Sequence, residues 1–326
     1  MGKGVSFTAN QLKIDAETEV KKISKTLIAY IQQYKKKGLV VAMSGGIDSS
    51  VVAALCVEAL GKNRVTGLLL PEKDSSEDTL HLSRLIAEHL AIETLHEDIT
   101  NILDAVGCYR RRDETIKQLI PKYDSTFQVK IVLPSILEGE NLRLFSVIVK
   151  SPDGKELKAR LTQDAYLGIV SATNFKQRVR KMLEYYHADR RNYAVAGTPN
   201  RLEYDQGFFV KLGDGAADVK PIAHLYKTQV YQIAEYLAVP EEIRSRPPTT
   251  DTYSMPQSQE EFFFSLPYQK MDLCLFGVNN NVPAEEVAEV VGLTIEQVHR
   301  VFQDIQQKRK TTMYLHLQPQ LVEKIE

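Results

Sequence analysis

Apolar residues recur at three- and four-residue steps through Val20, Ile23, Leu27, Tyr30, Ile31 and Tyr34, with lysines between them. That spacing predicts an amphipathic helix, ended by Lys35, Lys36, Lys37 and Gly38. Residues 39–43 (LVVAM) are apolar with no polar alternation, as expected of a strand buried on both faces. A glycine-rich turn follows, and VVAALCVEAL then continues as a helix to Leu60 and Gly61. The pattern repeats, with strands at 65–70 and 94–99 and helical segments at 77–90 and 102–120. It resumes beyond residue 165 with a helix at 174–187, a strand at 193–196 and a helix at 225–238. This alternation predicts an α/β fold, a doubly wound parallel sheet covered on both sides.

Residues 121–165 break the rhythm. LRLFSVIVK and ELKARLT flank Ser151-Pro152-Asp153-Gly154, a turn sequence, so a β-hairpin insertion is expected. Residues 244–261 are rich in Pro, Ser, Thr and Gln and read as a long loop, of the kind that is either a functional lid or disordered. Three short helices, at 266–276, 283–291 and 294–309, close the chain. The expected organisation is therefore a main domain of residues 1–120 and 166–265, an insertion at 121–165 and a C-terminal helical extension at 266–326.

Composition narrows the classes. Apolar residues make up 43% of the 326 and charged residues 25%, ordinary for a globular chain long enough to form its own core. Lys plus Arg is 41 against 42 Asp plus Glu, a net charge of −1, so no overall basic field draws the chain to nucleic acid or a membrane. The longest apolar run is 51–57, far short of the roughly 20 residues that span a bilayer. No apolar stretch at the N-terminus reads as a secretory signal. Gly2 and Ser6 match a myristoylation pattern by letters only. Cys56, Cys108 and Cys274 are scattered and outside any CxxC pair, which favours a reducing cytoplasm over disulfides or zinc. The seven histidines show no metal-ligand spacing. Arg110, Arg111 and Arg112 read as a solvated basic run.

Chemistry concentrates first at Ser44-Gly45-Gly46-Ile47-Asp48-Ser49-Ser50, between a buried strand and a helix. Glycines let backbone approach a ligand closely. The helix start offers unpaired N–H groups and partial positive charge, and the serines add hydroxyls. The carboxyl end of a parallel strand is where such sheets bind ligands. No Gly-Lys-Ser/Thr follows, so the loop is not a Walker A motif. An aspartate in a phosphate cradle repels phosphate unless it holds a cation, so Asp48 points to magnesium shared with a nucleotide.

SGGIDSS resembles the signature of the ATP pyrophosphatase (PP-loop) superfamily, whose members cleave ATP between the α and β phosphates and adenylate a substrate. That resemblance implies the adenine nucleotide alpha hydrolase-like fold. The second half of the chain is more selective. Gly197-Thr198-Pro199-Asn200-Arg201-Leu202-Glu203 precedes Gly207-Phe208-Phe209-Val210-Lys211-Leu212-Gly213-Asp214-Gly215-Ala216-Ala217-Asp218, and Leu225-Tyr226-Lys227-Thr228 follows. Together with Asn174-x-x-x-Arg178-x-Arg180 and Pro248-Thr249-Thr250-Asp251, this resembles the NAD synthetase family. The resemblance runs from the first helix to Lys308-Arg309-Lys310, leaving out 121–165.

The resemblance implies a ligase that makes NAD from deamido-NAD, ATP and ammonia through an acyl-adenylate, releasing AMP and pyrophosphate. Ser44, Gly45, Gly46, Ile47, Asp48, Ser49 and Ser50 would hold ATP's pyrophosphate, aided by Arg178, Thr198, Lys227 and Thr249. Asp48 and Glu203 would hold magnesium, and Asp48 and Lys227 would be the catalytic pair. Lys211, Asp214 and Asp218 would bind deamido-NAD, with Tyr30, Asn174 and Arg180 as further candidates. A cytoplasmic homodimer is implied, formed through the helices carrying Tyr30 and Arg178. No additional amidase domain is evident, so ammonia is expected to be free or delivered by a separate protein.

Some positions depart from the family pattern. Val210 stands where threonine is usual, Glu260-Glu261 where Asp-Glu is usual, and Ser265-Leu266-Pro267-Tyr268 replaces Gly-x-Ser-Tyr. Ile169 and Val170 lie where an aromatic stacking partner for the nicotinate ring is expected. Two rival readings are another PP-loop enzyme adenylating a different carboxylate and a helix-turn-helix DNA-binding regulator. The second rests on 283–309, where Gly292 separates two amphipathic helices. Glu285, Glu286, Glu289 and Glu296 make that segment acidic, which weighs against it.

Overall fold

A computed structural model describes residues 7–137, 144–250 and 252–325. Gly2, Ser6, Asp251 and residues 138–143 of the insertion lie outside the described residues.

In chain order the main elements begin with α1 (Ala16–Gln33), β1 (Leu39–Ala42), α2 (Ile47–Leu60), β2 (Val65–Leu69), α3 (Glu77–Leu90) and β3 (Glu93–His96). Next come α4 (Thr100–Ala105), α5 (Cys108–Leu119), β4 (Gln128–Val132), β5 (Ser146–Lys150), β6 (Glu156–Arg160) and α6 (Gln163–Arg191). Then follow β7 (Ala194–Ala196), α7 (Arg201–Gln206), α8 (Lys227–Tyr236) and α9 (Glu241–Arg244). Finally α10 (Tyr268–Asn280), α11 (Ala284–Val291) and α12 (Ile295–His316) close the chain.

The main sheet has the order β3-β2-β1-β7 and is parallel throughout, with Leu39 opposite Val65 on one side and Ala194 on the other. The unalternated strand β1 is explained by what covers it. Leu39 and Val41 pack with α1, α2, α3 and α8, while Val40 packs with Leu103, Tyr109, Val179 and Ala188 on the opposite face. The sheet is thus doubly wound, and Leu39, Val40 and Val41 each land in an apolar layer. A third core unites α10, α11 and α12 with Leu202 and Tyr226.

Four sequence expectations need correction. The hairpin at 146–160 exists, with its turn at 151–154, but β4 joins it, giving an antiparallel sheet of order β4-β5-β6. The helix expected from Asn174 starts eleven residues earlier, at Gln163, where the Thr162 hydroxyl accepts from the Ala165 N–H as N-cap. Its first turns bury Ala165, Ile169 and Ala172 at the 3–4 spacing that the insertion boundary obscured. The segment 102–120 is two helices, broken at Gly107, whose φ of 70° lies in the left-handed region.

Arg112 is not solvated. It is 4% exposed and pairs with Asp74 at 2.6 Å and Asp113 at 2.8 Å. Lys176 on α6, 1% exposed, completes this buried network by reaching Glu72 and Asp74, both at 2.8 Å. Burial works against the Asp74 carboxylate, but Lys176 and Arg112 outweigh it and hold the group below its usual range. Charges at such positions are tolerated because each meets opposite charge and hydrogen bonds.

Candidate active site

A cavity of about 1080 Å³ opens along the carboxyl ends of β1 and β2. Its floor is the turn after β1. Gly45 has φ 69°, and a Cβ there would meet Leu82 Cβ and the Thr79 carbonyl at 2.8 Å, so only glycine lets the turn seat on α3. Gly46 precedes α2 with no side-chain cap, so the first N–H groups of α2 face the cavity floor without a protein acceptor capping them. Ser44 and Ser49 brace the turn through their hydroxyls, 3.2 Å apart. Ser50 is buried, donates to the Gly46 carbonyl at 2.9 Å and does not line the cavity.

Three charged side chains converge above this floor. Asp48, in the first turn of α2, pairs with the Lys227 ammonium at the start of α8. The Asn200 amide donates to Asp48 at 3.1 Å. Asn200 is also the N-cap of α7 and exchanges hydrogen bonds with Glu203, at 3.1 and 3.2 Å. Asn200 thereby ties both carboxylates into a single unit, its side-chain amide donating to Asp48 and its backbone N–H to Glu203. Gln259 completes the ring by donating to Glu203 at 2.9 Å. Burial pushes the Glu203 carboxyl up to about 8, with the Asp48 charge adding to it. Burial disfavours the Lys227 ammonium, yet Asp48 and Glu203 together keep it above its usual value.

Asp272 on α10, fully buried, accepts the backbone N–H groups of Lys227 at 3.2 Å and Thr228 at 2.6 Å. It therefore caps α8 and fixes the residue that carries the cation. Burial drives its carboxyl up to about 7, against those N–H donors. An acid whose folded pKa is raised holds its proton more tightly folded than unfolded, so its contribution to stability falls as pH rises from about 4 to 7. Asp272→Asn should flatten that slope, and Asp272→Ala should cost about 2–3 kcal/mol by orphaning both N–H groups. Urea denaturation at pH 5 and pH 7 measures both effects.

Other expected site residues distribute as follows. Asn174, Arg178 and Arg180 line the cavity from α6, Thr198 from the end of β7, and Thr249 from the long loop. The Arg178 guanidinium donates to the Lys211 carbonyl at 3.3 Å and that of Arg180 to the Leu70 carbonyl at 3.2 Å. Lys211 and Asp214 also line it; the Lys211 ammonium donates to the Tyr314 carbonyl at 2.8 Å, and Asp214 accepts from the Val210 N–H at 2.8 Å. Tyr30 and Asp218 do not line the cavity. The Tyr30 ring leans on Tyr34 at 4.6 Å, and Asp218 accepts from the Val195 N–H at 2.7 Å. Ile169 is buried in the core of the insertion, and the cavity takes its aromatic walls from Tyr166, Phe208, Tyr253, Phe262 and Tyr314 among others.

The sequence profile of the NAD synthase family matches residues 19–120 and 149–312. The chain belongs to that family. A relative in Rhizobium meliloti (strain 1021), an NH(3)-dependent NAD(+) synthetase, is 57% identical over 320 residues, covering 98% of this chain and 96% of its own. NAD synthase-type folds recur among solved structures. NMN synthetase from Francisella tularensis superposes with a TM-score of 0.64 at 21% identity, covering 95% of this chain and 99% of its own. NH3-dependent NAD synthetase from Campylobacter jejuni gives 0.62 at 23%, covering 95% and 100%.

Membership in the NAD synthase family leaves the regulator reading without support. Although α11, Gly292 and α12 do form a helix-turn-helix, Val298, Val301 and Ile305 are core, and Arg309 is tied to Asp205 at 2.6 Å. Among the described residues, no helix is long and apolar enough to cross a membrane.

Reasoning from sequence did not single out Asn200, Gln259, Asp272 or Lys176. Asn200 and Glu203 carried a readable signal, since Asn-x-x-Glu is capping-box spacing. Asp272 and Lys176 were charges inside otherwise apolar helical faces, which implies a buried partner. Gln259 had no local signal.

Proposed function

We propose that this chain amidates deamido-NAD with ammonia at the expense of ATP, the last step of NAD biosynthesis. The Asp48–Lys227–Glu203 cluster, set over the open start of α2 in a cavity of about 1080 Å³, is the observation that carries the reading. The family and the 57% identical relative support the same activity.

The pyridine carboxylate is a poor electrophile. Its oxygen attacks the α-phosphorus of ATP, pyrophosphate leaves, and the acyl-adenylate forms. Ammonia then attacks the carbonyl, AMP departs with the bonding pair, and loss of a proton leaves the amide. The protein's share is to bring anions together and exclude water. The Ser44–Ser49 turn receives the pyrophosphate on α2's N–H groups. Lys227 exchanges Asp48 for phosphate oxygens, and Arg178 adds a second cation. Thr198 and Thr249 supply hydroxyls, and Lys211, Asp214, Asn174 and Arg180 bind the dinucleotide.

The residues fit magnesium. Asp48 and Glu203 are hard oxygen donors held in one unit by Asn200, and Lys227 shows that the spot already stabilises positive charge. Among the described residues no third carboxylate, histidine or cysteine joins them, which suits an ion that keeps waters and takes phosphate oxygens. Bound there, magnesium would neutralise charge on the leaving pyrophosphate.

We also propose a homodimer. Tyr34 at the C-cap of α1 and Met182 and Tyr186 on α6 are more than half exposed, apolar surface at the helices that carry Tyr30 and Arg178. A partner there would also explain why Tyr30 and Asp218 sit outside the single-chain cavity. Light scattering should give twice the 36.9 kDa chain mass.

The decisive assay mixes protein, ATP, magnesium, ammonium and deamido-NAD and follows NAD and AMP. Pyrophosphate exchange with a panel of carboxylic acids, the pyridine mononucleotide included, separates the substrate assignment from its rivals. Signal from another acid and none from deamido-NAD overturns it.

A further inference from the structure

Strand β4 lies at the edge of the insertion sheet, and an edge strand leaves a row of backbone groups to be paired or covered. Here the long loop covers it. Ser254 Oγ accepts from the Val129 N–H at 2.9 Å, and the Met255 N–H donates to the Val129 carbonyl at 3.1 Å. The Gln257 amide donates to the Ile131 carbonyl, and the Leu133 N–H donates to the Glu261 carbonyl at 3.3 Å. Val129, Ile131 and Leu133 alternate, so one edge of the strand is used throughout. An ion pair between Lys130 and Glu261, 2.6 Å, closes the seam.

The seam brackets the site. Gln259, which holds Glu203 at 2.9 Å, lies between the two anchored residues Gln257 and Glu261. Tyr253 and Phe262, just outside the bracket, wall the cavity. The family profile passes over 121–148, which contains β4, so this support is an addition to the shared pattern.

We propose that the β4 edge is a built-in clamp, with Lys130 and Glu261 as positioning residues, that holds the 254–261 segment closed over the reacting carboxylate. The inference rests on the proposed amidation. Its consequence is protection of the acyl-adenylate. Water outnumbers ammonia, and its attack on the same carbonyl returns deamido-NAD and AMP, a net cleavage of ATP to AMP and pyrophosphate. A loosened segment therefore raises AMP release relative to NAD formation.

The test uses Lys130→Glu, Glu261→Lys and the double swap, in the full chain. Neither Lys130 nor Glu261 lines the cavity or is a proposed binding group, and a structural role alone would not move product partition. Each single variant should raise the AMP:NAD ratio about threefold from near one, and the swap should restore it, since the pair is coupled only to itself. Chymotrypsin should cut faster at Tyr253 and Phe262 in the single variants and at the normal rate in the swap. If wild type makes no NAD, the amidation reading fails. If wild type makes NAD while the single variants keep its ratio and its cleavage rate, the clamp is wrong. Faster cleavage with an unchanged ratio also overturns it, since the segment would then move without exposing the adenylate.

Discussion

Asp48→Asn should fold normally and lose at least about 10²-fold in NAD formation, the scale of removing one preorganised electrostatic group. The fold survives because the residue sits on an open helix start and is partly reachable by solvent. Asparagine keeps the shape and still meets the Asn200 amide. Lys227 does not become an unpaired buried charge, since Glu203 also favours its charged form. The charge that offsets a cation is gone, however, so the phosphates approach a site with one negative partner fewer for magnesium. Circular dichroism and thermal melts check the fold, and coupled NAD detection checks the rate. Near-normal turnover at limiting magnesium would refute the metal role of Asp48.

That variant touches a residue legible in the sequence, and the reasons others were not legible are physical. The turn at 44–50 announces itself because glycine spacing, a buried strand before it and a helix after it are local properties. The main sheet was legible for the same reason: 39–43 could not alternate if both faces were covered. What escaped depends on contacts far apart in sequence. Arg112 looks solvated until Asp74, 38 positions away, is folded against it. Gln259 reaches Glu203 across 56 positions, and Asp272 reaches the Lys227 N–H across 45. β4 could not be recognised because its pairing partner, β5, begins only at Ser146 and its other edge is satisfied by a loop more than a hundred residues away. The start of α6 was hidden because it falls inside the 121–165 insertion, directly after β6 ends at Arg160.

Lys227→Met should show the opposite balance, a large loss of stability as well as of activity. Lys227 is 1% exposed, and methionine fills its volume without its charge. Asp48 and Glu203 are then left facing each other with no cation, and breaking a buried pair this way costs about 3–5 kcal/mol. Glu203 can escape by holding a proton, since burial already lifts its carboxyl to about 8. A raised acid pKa lowers stability as pH rises, so the deficit should be smaller at pH 6 than at pH 8.5. Millimolar magnesium should recover part of the loss in the variant and change wild type little, because in wild type the ammonium already occupies the cation's place. Activity should stay at least about 10³-fold down even with magnesium, since the metal restores charge between the carboxylates but not the donor that meets the phosphates. Urea denaturation with and without magnesium at the two pH values reads the first effect. A variant whose stability ignores magnesium at pH 8.5 would place the divalent cation somewhere other than between Asp48 and Glu203.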